Sequence, residues 1–145
     1  MYTAIQTAHS IFAYIVLALL FFASLNAITG LTGKRLFKDK DLRLSLFALI
    51  VSHLQLLLGI ILYFVTDHFK QWSVLGMKLM SNDGLRKLMV EHPITNVLAI
   101  VLITIGWSKH KKEESNNGKF KKIAVFYTIG LILLLSMIPW SQWMS

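Results

Sequence analysis

Apolar positions in this chain do not alternate with polar ones. They gather in four blocks, Ile11–Ala23, Leu54–Val65, Val97–Ile105 and Ile123–Ile138, with charged connectors between them. A helix half in water would place polar residues every three or four positions, whereas these blocks are apolar almost all round, as a helix surrounded by hydrocarbon must be. Extended over its uncharged flanks, each block approaches the roughly 20 residues that cross a bilayer core. The pattern predicts an all-α, integral membrane four-helix bundle forming one domain over residues 1–145, with helices over about 3–30, 44–66, 85–107 and 122–141. Gly30 and Gly33 are expected to stop the first helix, Asp83 to cap the third, and Pro139 and Trp140 to mark the exit of the fourth.

The start of the third helix needs an argument of its own, because Pro93 stands between Glu91-His92 and the apolar block. From Pro93 to Trp107 there are only 15 residues, about 22 Å of helix against a core of about 30 Å. The helix must begin earlier, near Gly84 or Leu85. Glu91 and His92 then fall inside the span, and Pro93 removes the backbone bond to Met89 and bends the helix beside His92.

Composition adds to this picture chiefly through charge. The chain of 145 residues is 55% hydrophobic and carries a net charge of +8, with a mean hydropathy of +0.60. In a soluble protein such a charge would point to nucleic acid, but in a membrane protein Lys and Arg collect on the cytoplasmic side, so no nucleic-acid partner is expected. Eleven of the fifteen basic residues lie in two connectors, Lys34 to Arg43 and Lys109 to Lys122. Those connectors are expected to face the cytoplasm, with both termini on the outer (periplasmic) side of a bacterial cytoplasmic membrane and Trp72, Trp140 and Trp143 at the outer interface. The opening MYTAIQTAHS lacks the positive stretch of a cleavable signal, so the first helix is expected to be retained. The stretch KHKKEESNNGKFKK is expected to be a solvated turn.

Without cysteine there are no disulfides, thiolate metal sites or covalent haem attachment. Gly-rich phosphate loops, His-Glu-x-x-His helices and intramembrane Ser/His or Asp pairs are also absent, which leaves no footing for hydrolytic chemistry. What remains are the ionisable side chains of the spans, His9, His53, Glu91 and His92, each a functional candidate because such groups are costly in lipid. His68 and His110 fall in connectors and are expected to be solvated. His9 and His92 lie at matching depth, roughly 9 to 12 Å below the outer boundary, while His53 lies near mid-membrane.

Two level histidines on two helices suit the two axial positions of a b-type haem iron. Ala13, Asn96 and Ala99, one or two turns away on the same faces, leave room for a ring. His53 is the alternative ligand, or a group that orients a propionate, a quinone or a second cofactor; it also opens a third reading, a proton or metal-ion path. Gln55 lies on a different face from His53. A plainer reading has each histidine hydrogen-bond across helices and fix register. Met77, Met80 and Met89 would suit Cu(I), but Met77, Met80 and Leu88 also fit an amphipathic segment on the membrane surface, which is the preferred reading.

MYTAIQTAHS, LSLFALIVSHLQLLLGIILYF, VEHPITNVLAIVLITIG and the closing IPW, taken together, resemble a family of small four-helix bacterial membrane proteins commonly labelled cytochrome b-like. The resemblance spans most of the chain. It implies haem b and electron transfer in the cytoplasmic membrane, with His9, His53 and His92 as the matching histidines and Glu91 beside the last. The expectation is therefore an electron-transfer protein more than a stand-alone enzyme. His9 and His92 would hold one haem near the outer face, Glu91 would tune its potential or handle a coupled proton, and the quinone pool or a larger respiratory complex would be the partner. The rival expectation is a cofactor-free accessory subunit, with Gly59, Gly106 and Gly130 at close helix contacts.

Overall fold

The structure, a computed structural model, describes residues 1–143 apart from the side chain of Gln142. Among these residues it is all-helical. Four long helices, α1 (Tyr2–Thr32), α2 (Asp39–Val65), α5 (His92–Lys112) and α6 (Asn116–Ser136), are joined with a short segment at the periphery of the bundle made of α3 (His68–Leu75), a 3-10 stretch (Gly76–Ser81) and α4 (Asp83–Arg86), and α7 (Trp140–Trp143) closes the described residues. A π turn over Lys87–Glu91 fuses α4 to α5. The fused element Asp83–Lys112 is one of three helices long and apolar enough to cross a membrane, the others being α1 and α2. In α6, Lys119, Lys121 and Lys122 shorten the uncharged stretch to residues 123–136, about 21 Å of helix.

α1 packs on α2 and α6, and α5 packs on α6 and α2, so that α1 and α5 face each other across the middle. Small residues bring the helices together. A β-carbon on Gly30 would fall 2.5 Å from the Phe120 ring, one on Gly106 2.5 Å from Phe126, and one on Gly130 2.6 Å from Ile103. The core holds Leu20, Ala27, Ile103, Ile123 and Tyr127, whereas Phe21, Phe22, Phe47, Leu57 and Ile132 point outward. An apolar exterior around an interior that includes Ser24, Asp41, Ser45 and Ser52 is what lipid-facing helices present.

Helix ends follow local chemistry more closely than the apolar blocks do. α2 begins five residues before Leu44, at Asp39, where the Asp41 carboxylate accepts the Lys38 N–H at 2.8 Å and acidic residues suit the positive end of the helix dipole. Asn82 caps α4 in place of the expected Asp83, accepting the Leu85 N–H at 3.0 Å. α1 ends through Lys34, with φ 52, in a Schellman arrangement: the Arg35 N–H reaches Gly30 O at 3.0 Å and the Lys34 N–H reaches Leu31 O at 3.4 Å. The glycines expected to stop that helix are not its left-handed residue. Gly30 is there because Phe120 leaves no room for a β-carbon.

The two basic connectors meet at one end, where the Phe37 N–H donates to Asn116 Oδ1 at 2.9 Å. His110, expected to be solvated, is 1% exposed there, packed on Phe37 and Trp107, with Nδ1–H donating to Trp107 O at 2.6 Å. The start of α1 and α7 lie together, Tyr14 on Trp143.

Candidate functional site

The sequence around His92 explains how that ring is held. Pro93 has no N–H, so Met89 O loses its helical partner, and the Tyr63 hydroxyl from α2 donates to it at 2.9 Å. Tyr63 in turn accepts the Trp72 indole N–H at 3.0 Å, which ties the outer segment down. One turn earlier the helix widens into the π turn, and the His92 N–H reaches back to Lys87 O. π turns of this kind re-aim side chains and recur at functional sites. Here the His92 ring turns inward, and its Nδ1–H donates to Met137 O at 2.9 Å, a carbonyl left free where α6 ends. That bond fixes the tautomer. Nε2 is then an acceptor, and Asn96 Nδ2 donates to it at 3.1 Å.

His9 meets His92 from α1, with ring centroids 6.4 Å apart and planes at 82°. Gly59 makes room for it, since a β-carbon there would stand 3.3 Å from His9 Cε1. Gln55, four residues earlier on the same face of α2, donates from Nε2 to His9 O at 2.8 Å. Three buried polar atoms in this cluster have no protein partner: His9 Nδ1, Gln55 Oε1 and Asn96 Oδ1.

Two cavities flank the histidine pair. One, of about 440 Å³, lies between α1 and α6, lined by Ser10, Ala13, Tyr14 and Leu134 among others. The second, of about 380 Å³, lies between α2 and α5, lined by Ser52, Gly59, Tyr63, His68 and Pro93 among others. His9, Gln55, His92 and Asn96 belong to the walls of both. His68, at the start of α3, is half-buried in place of the solvated position expected for it and lies edge-on to Tyr63. Burial lowers the pKa of its imidazole, against the opposing pull of Asp67.

The other sequence candidates lie elsewhere. His53 is on the outer surface of α2 and lines neither cavity; its Nδ1–H donates to Leu49 O at 2.8 Å, and Nε2 stands 3.3 Å from the Thr104 hydroxyl of α5. It is not brought to His9 or His92. Glu91 is held by Arg86 at 2.9 Å, itself bound to Met80 O, and also stays out of both cavities. Its observed role is to brace the outer segment, not to touch the site. Met89 is buried and Met77 exposed, so the methionines do not form one face. Gln55 and Gly59, which the sequence argument named without placing them at the site, and Tyr63, which it did not name, are four residues apart and so share a single face of α2.

Among the described residues no three of His, Asp and Glu gather as a metal-binding group. The two histidine rings stand 6.4 Å apart between centroids and nearly perpendicular. His92 Nδ1–H on a carbonyl is the outer hydrogen bond that a ligating imidazole needs, and it leaves Nε2 as the nitrogen with a lone pair to offer. No family model, curated protein or solved structure matches the chain.

Proposed function

We propose that this chain is a b-type cytochrome: a four-helix bundle in the bacterial cytoplasmic membrane, termini outward, that relays electrons through one haem held by His9 and His92. The observation that carries the reading is the 6.4 Å separation of the two rings at one end of the bundle, between two cavities. The resemblance to cytochrome b-like sequences points the same way, and the basic connectors at one end support the orientation. A bound haem would supply one-electron chemistry at its iron. The chain's own contribution is to orient and to exclude water. Met137 O fixes the His92 tautomer, Gly59 and Gln55 seat His9 and its backbone, and Ala13, Val16, Leu17 and Leu134 give an apolar wall to the larger cavity. The quinone pool or a larger respiratory complex is the partner this reading calls for.

A second reading has its own observation. His92 Nε2 is already served by Asn96, as in a cofactor-free accessory subunit whose histidines set register. One spectrum separates the two. The cytochrome shows a Soret band and b-type bands on reduction, lost in His9→Ala and in His92→Ala; a folded, colourless preparation from haem-replete cells leaves the accessory subunit.

A further inference from the structure

The end where the basic connectors meet carries more positive charge than its own carboxylates balance. Of the eleven Lys and Arg residues there, Arg35 pairs with Asp41 at 3.5 Å, Lys122 pairs with Glu113 at 3.8 Å, and Lys119 donates to His110 O at 3.4 Å. The other eight are exposed and have no carboxylate partner among the described residues, against two exposed carboxylates, Asp39 and Glu114. Arg43 and Lys121 stand apart within this group. Arg43 is the fifth residue of α2 and Lys121 the sixth of α6. Of the eight, these two alone have an exposed apolar side chain one turn further into their helix, Phe47 for Arg43 and Val125 for Lys121.

From each of these cations an exposed apolar stripe continues along the same face, through Ile50 to Leu57 on α2 and through Ile132 to Leu135 on α6. Phe47 to Leu57 and Val125 to Leu135 are each ten positions, about 15 Å of helix and so half of a core of about 30 Å, the depth of one leaflet's acyl chains. A long cationic side chain at the foot of such a stripe lays its stem on apolar surface and holds its charge at the headgroup level. A zwitterionic headgroup would bring a further cation into a region already in positive excess, whereas an anionic one reduces that excess. The apolar stripe in turn favours a phosphate that carries acyl chains over a free one. We propose that Arg43 and Lys121 each seat the headgroup phosphate of an anionic phospholipid whose chains lie along the stripe above. These two sites go beyond the electron-relay reading, since they rest on the lipid-facing exterior and involve neither histidine.

Native mass spectrometry of the protein released from detergent micelles tests it, with dioleoyl-phosphatidylglycerol and dioleoyl-phosphatidylcholine as probes. Two phosphatidylglycerol molecules are expected to bind, each about five-fold or more tighter than phosphatidylcholine, the gain from one cation at an anionic headgroup. Arg43→Gln and Lys121→Gln are each expected to remove one of them and the double variant both, while Arg43→Lys keeps two. Lys109→Gln removes the same charge at the same end, but on a face whose next turn, Ile105, is half-buried, and is expected to keep both lipids. Soluble glycerophosphoglycerol, the headgroup without its chains, is expected to displace neither. Equal binding of the two lipids, unchanged binding in the double variant, a loss in Lys109→Gln as large as in Arg43→Gln, or displacement by the soluble headgroup overturns the proposal. The absorption spectrum of the same sample is read separately. A colourless protein that selects phosphatidylglycerol removes the haem and keeps these sites, and a coloured protein that does not select it does the reverse.

Discussion

The two ends of this molecule differ in how fully their buried polarity is paired, although Ser24 Oγ and Thr128 Oγ1, away from the histidines, also lack a partner. At the end where the basic connectors meet, Asp41 is 1% exposed, yet it accepts from Asn26 at 2.7 Å and from the Lys38 N–H at 2.8 Å and pairs with Arg35 at 3.5 Å. Arg35 also donates to Asn26 Oδ1 at 3.0 Å and lies over Phe120. A turn further in, the buried Tyr127 hydroxyl donates to Ser45 O at 2.8 Å. At the other end, around His9 and His92, three buried polar atoms have no partner and two cavities stand between the helices. A satisfied network holds a fold together; an unsatisfied one costs stability and makes sense where a ligand completes it.

The contrast yields changes of graded size, measured as unfolding free energy in detergent. Asp41→Ala breaks the satisfied end at its centre, leaving Arg35 and Asn26 facing nothing, and is expected to destabilise by about 3 kcal/mol; a loss below about 1 kcal/mol would show that the network is decorative. Tyr63→Phe sits at the border of the other end. It leaves Met89 O and the Trp72 indole unpartnered and is expected to cost about 1–2 kcal/mol, with a red shift of Trp72 emission as the outer segment loosens. Lys34→Gly relieves a left-handed lysine and is expected to stabilise by about 0.5–1 kcal/mol. Gln55→Leu, in protein without ligand, trades one hydrogen bond for the removal of one orphaned acceptor and is expected to change stability by less than about 1 kcal/mol. A large loss there would mean that the cluster around His9 is held as tightly as the Asp41 network, and the contrast would fail.

Much of this could be read from residue order. The apolar blocks located the long helices, and the length argument at Pro93 led to a helix beginning before Glu91, as the fused element Asp83–Lys112 does. Before Pro93 the structure shows a π turn, and the carbonyl that the proline leaves without its helical partner is claimed by Tyr63, a residue 26 positions earlier that no local rule connects to it. His9 and His92 were legible as a level pair because depth along a helix follows from counting residues. The placing of His53 was not legible, since its depth is fixed by counting but its direction depends on which face of α2 the neighbours cover. His110 looked like a solvated connector residue because charge density alone points to water, and only the meeting of two connectors buries it.

The sequence by itself determined that the chain is helical, that three of its helices are long and apolar enough for a membrane, and which histidines share a level. These properties depend on side-chain chemistry and on distance along one helix. Tertiary structure alone decided that His9 and His92 face each other, that Gln55 and Asn96 present oxygens to a cavity, and that Gly30 and Gly59 yield space to Phe120 and His9. Those are relations between helices, set by packing and by which hydrogen-bond partners are already taken, and neither is encoded within any one segment.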